Sequence, residues 1–460
     1  MGRAYWPRGS AVCLLLLVFS ACTQAPQRDP LDAGDAVPAR WSGREQVSKP
    51  VPERWLEGFG KPALTRAVQE ALGRNYDLRA AAARVEAARQ LARIEGSTLW
   101  PQLGFTGGYQ RSQVRDSGFG SSEFGAFQAM FTLDWELDVW GRIRAARDAA
   151  GQDAEAAASD FRSARLSLAA RTAQAWFDLA EARLQVQVSE QSIHDRRVIV
   201  DLVRGRFARG LTRGLDLRLA LTDLADAEAQ LADARNREQI SGRLLETLLG
   251  RYPGNSRSAE LDLPEPPAQI QAGLPSELLL RRPDLAAAFQ RLKAQDLRLE
   301  SAEKALLPRV ALTADGGTRS AALAELIDPR AAAWNLGMGL LQPIFTGGRL
   351  KGEIDLASAR ADEALNLYRS SALDAFRQVE QALGAEEWLR RQEQALREAV
   401  EQTEASRKLA VYAYRHGDIE ILTLLDSYRS TLSAQSAHLT VRRQMLNNRV
   451  GLYLALGGGV

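Results

Sequence analysis

Cysteine is nearly absent, with only Cys13 and Cys22 in 460 residues. Cys13 lies inside an N-terminal apolar run, so a chain that loses its leader keeps Cys22 alone. A disulfide framework within the chain is thereby excluded. Histidine is almost as scarce: His194, His416 and His438 stand apart and form none of the close groupings that metal sites use. His416, at a turn, is expected to be a capping or exposed residue rather than a ligand. The patterns G-x-S-x-G, H-E-x-x-H and G-x-x-x-x-G-K-[ST] are missing, and with them the usual hydrolase, zinc-protease and phosphate-loop sites. The chain is therefore expected to be no enzyme and to need no metal or cofactor. Gly118, Gly120 and Gly125 are expected in a hairpin loop, where flexibility explains them. Charge of one sign is lacking too. Lys+Arg number 59 and Asp+Glu 57, a net +2, which gives no support to nucleic-acid binding, since that would want a basic face with interleaved aromatics. The charges alternate in sign along helical stretches, as on a solvated face.

The longest apolar run, Ala11 to Phe19, is too short to remain as a spanning helix. Arg3 and Arg8 precede it and Ser20-Ala21-Cys22 follow, so residues 1–21 have the form of a secretory signal. Cysteine after small residues resembles a bacterial lipobox, with Phe19 where Leu is usual. The resemblance implies a covalent lipid, such as palmitate, on Cys22, and Thr23 beside it implies outer-membrane sorting. A plain signal cut nearby is the alternative. Residues 22–62, rich in Pro, Gly and Asp, have no sustained period and are expected to form an extended tether. Trp41, Trp55 and Phe59 are placed to pin it.

What is present is a duplication. The shift of 207 residues that carries Arg142 to Arg349 also carries Asp77-Leu78 to Asp284-Leu285, Pro101 to Pro308 and Gln174 to Gln381. It further carries Gly210 to Gly417 and Leu249-Gly250 to Leu456-Gly457. Matches at one gapless offset, mostly at breakers and turns, indicate two copies of one plan: residues 63–250 and 275–457, joined by a linker, 251–274. Each copy opens on short helices stopped by Pro101 or Pro308. A β-hairpin follows (101–135, 308–345), with a loop at Ser117–Ser122 in the first. Then come two long helices (143–207 and 216–249; 351–413 and 420–456).

The hairpins have period two. Leu103, Phe105, Gly107 and Tyr109 alternate with Gly104, Thr106, Gly108 and Gln110. Phe127, Phe131, Leu133 and Trp135 alternate with Gln128, Thr132 and Asp134, and Val310, Leu312 and Ala314 face Trp334, Leu336, Met338 and Leu340. Four strands are too few to close a barrel, and an open edge in lipid would leave backbone groups unpaired. Either the strands pack on the chain's own helices in water, or several chains pool them; the large outward residues favour pooling. From Ile143 to Phe207 there is no proline, and Leu166, Ala169, Ala173, Trp176, Ala180, Leu184 and Val188 form one stripe. Roughly 60 residues at about 1.5 Å each reach roughly 90 Å, so such a helix must lie along others, as in coiled coils.

Trp135-Glu136-Leu137-Asp138-Val139-Trp140-Gly141-Arg142 resembles the strand-to-helix signature of TolC/OprM-type outer-membrane efflux proteins. Pro343-Ile344-Phe345-Thr346-Gly347-Gly348-Arg349 resembles its second-copy partner. From Leu64 to Leu456 the duplicated plan follows the family's order. The resemblance implies an α+β membrane protein: a homotrimer whose twelve strands form one barrel in the outer membrane, continued by an α-helical coiled-coil tunnel in the periplasm. It also implies a passive conduit for drugs or other small solutes, fed by a periplasmic adaptor and an inner-membrane pump, proton-driven, which supplies the energy. At the junctions Gly141, Gly347 and Gly348 would allow sharp turns, Pro343 would end a strand, and Trp140, Arg142 and Arg349 belong to the same strand-to-helix junctions. Trp135 and Trp140 suit a membrane boundary; Trp140 suits a buried junction anchor equally.

The two helix-to-helix turns resemble the family's periplasmic tips: Phe207-Ala208-Arg209-Gly210 with Asp216, and Tyr414-Arg415-His416-Gly417 with Asp426 and Arg429. That implies adaptor contact at Gly210, Leu211, Thr212, Gly417 and Ile419, and inter-helix contacts through Asp216, Tyr414, Arg415, Asp426 and Arg429. A gate of crowded carboxylates follows at Asp418 and Glu420. As N-cap and first-turn residues these two fit equally well. A protein-secretion conduit of the same fold is one alternative; the transporter its adaptor recruits would distinguish it. A soluble periplasmic coiled-coil binding protein is the other, and salt would release it from membranes where a barrel needs detergent.

Overall fold

The computed structural model describes residues 24–33, 37–38, 41, 54–116, 120–254, 262–267 and 275–459. The signal segment, the acylation candidate Cys22, most of the tether, the hairpin tip 117–119 and parts of the 251–274 linker lie outside the described residues. Helices Pro62–Arg74 (α1) and Tyr76–Ser97 (α2) lead into strands Gln102–Asp116 (β1) and Gly120–Leu137 (β2). Helix Arg142–Ala208 (α3, 67 residues) and Gly214–Leu248 (α4, 35 residues) follow. The second series is Pro275–Arg281 (α5), Pro283–Lys304 (α6), Arg309–Ser320 (β3), Ala332–Leu341 (β4), Arg349–His416 (α7, 68 residues) and Ile421–Ala455 (α8, 35 residues). Pro62 and Pro283 sit in the first helical turn, where a missing N–H costs nothing.

Two compact units divide the chain. One holds the described residues up to Ala33 with Arg84–Ala158 and Ala287–Arg369; the other holds Gly34–Ala83, Ser159–Ala286 and the residues from Ser370 on. Each unit draws on both sequence halves. The first contains an antiparallel sheet in the order β1-β2-β3-β4. The first hairpin is longer than its hydrophobic alternation suggested. Pairing runs to Asp116↔Gly120, so Gly120 and Gly125 are strand residues and not loop. The Gln113 to Ser121 hydrogen bond (3.0 Å) and the Arg111–Glu123 ion pair carry the ladder on where the apolar residues stop.

The helical unit is closed by aromatic packing. Trp55 stacks on Tyr453 at 5.2 Å and Phe59 meets Phe177 at 5.3 Å, while Trp41 lies edge-on to Phe376. All three residues expected to pin the tether are buried. Burial of each large apolar side chain contributes roughly 1.5–3 kcal/mol. Helix ends recur at the 207-residue offset. Asn75 donates to the Leu248 carbonyl at 3.1 Å, and Arg282 to that of Ala455 at 3.1 Å. Gly250, with φ +71°, lies where a Cβ would stand 2.8 Å from the Arg74 carbonyl oxygen. Gly457, with φ +68°, stands likewise 3.2 Å from that of Arg281.

Candidate functional site: an open sheet, two junctions and a helical tip

Cross-strand register collects the apolar residues on one side of the sheet. Leu103↔Leu133↔Ala314↔Leu336 and Phe105↔Phe131↔Gly316↔Trp334 are successive rows, and Trp135↔Leu312↔Met338 is a third. Tyr109 and Phe127 pair with ring centroids 4.5 Å apart. Leu103, Phe105, Phe131, Leu336, Met338, Leu340 and Trp334 (82% exposed) are open on this face. The opposite face carries Gln102, Asp134 and Thr313 in one row and Thr132, Asp315 and Asn335 in the next. β1 and β4 each pair on one side only. Every strand has at least ten residues, enough to cross a hydrocarbon layer when tilted. Among the described residues no helix is long and apolar enough to do so.

At the first junction Gly141 turns the chain at φ +80°. Asp138 then accepts from the backbone N–H groups of Ile143 and Arg144 at 2.9 Å each, and from the Arg144 guanidinium at 3.1 Å. Burial pushes the Asp138 carboxyl up, but those three donors outweigh it and hold the group below the usual carboxylate range. Trp140 donates its indole N–H to Pro308 O at 2.7 Å, and Arg142 pairs with Glu136 at 2.8 Å. Trp140 is thus an anchor of the junction. At the second junction Gly347 and Gly348 have φ +59° and +85°, Pro343 follows β4, and Arg349 pairs with Glu353.

The tips show matched caps. Leu211 N–H bonds Arg206 O at 2.9 Å, and Asp418 N–H bonds Ala413 O at 3.0 Å. Each crosses a glycine of positive φ, Gly210 (+72°) or Gly417 (+86°). Thr212 donates to Asp216, whose carboxylate also accepts the Arg213 N–H at 3.3 Å. Tyr414 is buried, with the Arg206 guanidinium over its ring at 5.1 Å. Burial raises the Tyr414 hydroxyl pKa. Arg206 also donates to Tyr414 O and Arg415 O, at 3.0 and 3.4 Å. Arg415, Asp418, Glu420 and Asp426 are exposed and Ile419 is half-buried. Glu420 is the N-cap residue of α8, without a side-chain cap bond.

Arg429 reaches Asp223 on α4, and Asp223 also binds Arg196 on α3. Sequence reasoning missed Arg196, Arg206 and Asp223. Arg206 immediately precedes the tip motif and could have been read with it, whereas nothing local marks Asp223, whose partners lie on other helices.

The sequence model of the family described as outer membrane efflux protein matches residues 67–251 and again 274–458. The chain belongs to that family, and is an outer-membrane channel component of efflux. It is 33% identical, over 97% of both chains, to the pyoverdine export outer membrane protein OpmQ of Pseudomonas putida. It is also 33% identical, over 98% of this chain and 96% of the other, to outer membrane protein OprJ of Pseudomonas aeruginosa. The solved structure of the outer-membrane channel OprN superposes with a TM-score of 0.88 at 27% identity, covering 95% of this chain and 99% of that one.

Proposed function

We propose that three copies of this chain join their sheets edge to edge, β1 of one beside β4 of the next, as a twelve-stranded barrel continued by a helical tunnel in the periplasm. The observation that carries this is the sheet itself: two unpaired edges and a continuous exposed apolar face. In lipid each unpaired backbone group costs several kcal/mol, which only closure removes. The two matched halves at one offset support a duplicated plan for residues 63–250 and 275–457. The barrel passes small solutes delivered by a periplasmic adaptor and a proton-driven inner-membrane pump, and the chain contributes no catalytic step. A relative named for pyoverdine export favours small-molecule efflux over protein secretion. A lipid on Cys22 tethers the assembly to the outer membrane. The adaptor docks at the tips, on Gly210, Leu211, Thr212, Gly417 and Ile419.

Asp418 and Glu420 form the periplasmic constriction, three copies bringing six exposed carboxylates toward one axis. Extraction tests the assembly: the protein should leave outer-membrane fractions only with detergent and run at three times the chain mass. A salt-released single chain overturns it. Asp418→Ala with Glu420→Ala should change opening and cation dependence in planar bilayers. Unaltered conductance removes the gate from these two residues.

A further inference from the structure

Linker residues 265–267 and the second pair of long helices, α7 and α8, enclose a cavity of about 310 Å³. The matching place in the first pair holds two ion pairs instead. Arg183 on α3 meets Glu238 on α4 at 3.2 Å, and Arg235 on α4 meets Glu190 on α3 at 2.9 Å. The 207-residue shift carries Arg183 to Arg390 and Arg235 to Arg442, but it carries Glu238 to Met445 and Glu190 to Arg397. Two arginines balanced by two glutamates thus become three arginines and a methionine. All four of the shifted positions line the cavity.

The cavity supplies part of the missing negative charge itself. Arg397 is taken by Glu393 through two bonds, the one from Nε at 3.1 Å. Burial pushes the Glu393 carboxyl up, but Arg397 and His438 outweigh it and hold the group ionised. Arg449 binds Glu386 and the Pro267 carbonyl, the latter at 2.6 Å. Arg442 is held less firmly. Its Nη2 donates to the Leu263 carbonyl at 2.8 Å and reaches Glu265 only at 3.5 Å, and the Glu265 side chain is 87% exposed. An exposed pair at that separation contributes little, so Glu265 is a displaceable occupant. Beside these charges Pro266, Pro267, Leu389 and Met445 give the cavity an apolar wall. We propose that this cavity is a binding site for an amphipathic carboxylate, whose charged end takes the place of Glu265 on Arg442, with Arg390 as the second guanidinium, and whose apolar body lies on Leu389, Met445 and the two prolines. A guanidinium fork matches a planar carboxylate through parallel N–H bonds, and cavities of this size hold small organic molecules. About 30 Å of continuous helix separates Arg397 from the tip at His416, so the site stands apart from the residues of the gate.

The site does not depend on the conduit reading, and binding tests it directly. Full-length protein is extracted in detergent, and 2-naphthoate and the uncharged 2-naphthamide are titrated into it by calorimetry against matched detergent blanks. 2-Naphthoate should bind saturably at one site per chain, about tenfold more tightly than the amide. Glu265→Gln removes the resident competitor and should tighten 2-naphthoate about threefold. Met445→Glu restores the carboxylate found in the first helix pair and should weaken 2-naphthoate about tenfold, as should Arg390→Gln. E265Q and R390Q change exposed side chains, so they decide the matter even if M445E fails to fold. Acid and amide bound alike, or E265Q and R390Q indistinguishable from wild type, would overturn the site. Wild-type protein that shows no saturable binding of 2-naphthoate would overturn it as well.

Discussion

The two strand-to-helix junctions occupy the same place in the plan and are built differently. The first is satisfied within one chain: Asp138 caps α3, Trp140 is bonded to Pro308 O, and Gly141 is buried with a would-be Cβ 3.3 Å from Lys304 Nζ. The second, 207 residues on, has Phe345 where the first has Asp138. Ile344 is 95% and Phe345 89% exposed, and a Cβ on Gly347 or Gly348 would meet nothing within 4 Å. Yet one bond recurs with a different donor: Trp135 Nε1 to Leu99 O at 2.9 Å and Gln342 Nε2 to Leu306 O at 3.0 Å. The two junctions thus share their backbone turns while their side chains differ, one junction an internal brace and the other an uncovered surface.

The contrast is broken most sharply by removing the brace. Asp138→Ala leaves two helix N–H groups and the Arg144 Nε without their acceptor, and the Asp138 side chain is only 8% exposed. A loss of about 2 kcal/mol is expected, read as a lower melting temperature of the detergent-solubilised protein. Phe345→Ala at the matched position should leave that temperature nearly unchanged. The brace also predicts a pH effect. The carboxyl is held below its unfolded value, so its contribution is complete above about pH 4 and lost as pH falls through the folded value. Asp138→Asn should remove that part of the acid sensitivity, and an unchanged acid melting profile would refute the assignment.

Glycine substitution sharpens the comparison at a smaller scale. Gly141→Ala and Gly348→Ala both force an L-residue to positive φ, which costs about 1–2 kcal/mol. Only Gly141 also meets a neighbour, so G141A should melt below G348A. Equal melting of the two variants would mean that the packing around Gly141 adds nothing. Below both lies Trp140→Phe, which keeps the ring and loses the bond to Pro308 O, at about 1 kcal/mol. A shift in W140F as large as that of D138A would mean that the indole, rather than the carboxylate, braces the turn.

How much of this the sequence displayed follows from what is local. Period-two alternation marked the strands and their facing residues, because a pleated strand exposes alternate side chains. The helix ends near Gly210 and Gly417 were marked by glycines whose positive φ only that residue adopts cheaply. The hairpin was underestimated because its loop-end strands are held by Arg111–Glu123 and Gln113–Ser121, pairs that carry no apolar period. The Asp223 pairing with Arg196 and Arg429 was invisible for a related reason. Its partners lie 27 and 206 residues away on other helices, and a charged residue in a long amphipathic helix is ordinarily solvated. Arg429 was singled out by resemblance, but the carboxylate it binds required coordinates.

The smallest expected effect on the fold is the most informative about assembly. Ile344 and Phe345 touch almost nothing in one chain, so replacing both by Ser removes little buried area and should leave the melting of the isolated fold within about 0.5 kcal/mol. If the second junction is covered by a neighbouring copy or by lipid, the same double variant loses roughly 1.5–3 kcal/mol for each side chain no longer buried, and the trimers proposed above should give way to single chains in detergent. Analytical ultracentrifugation across a dilution series reads this directly. Trimers as persistent as wild type would mean that the junction faces water in the assembled protein, and that the difference between the two junctions has no bearing on how copies meet.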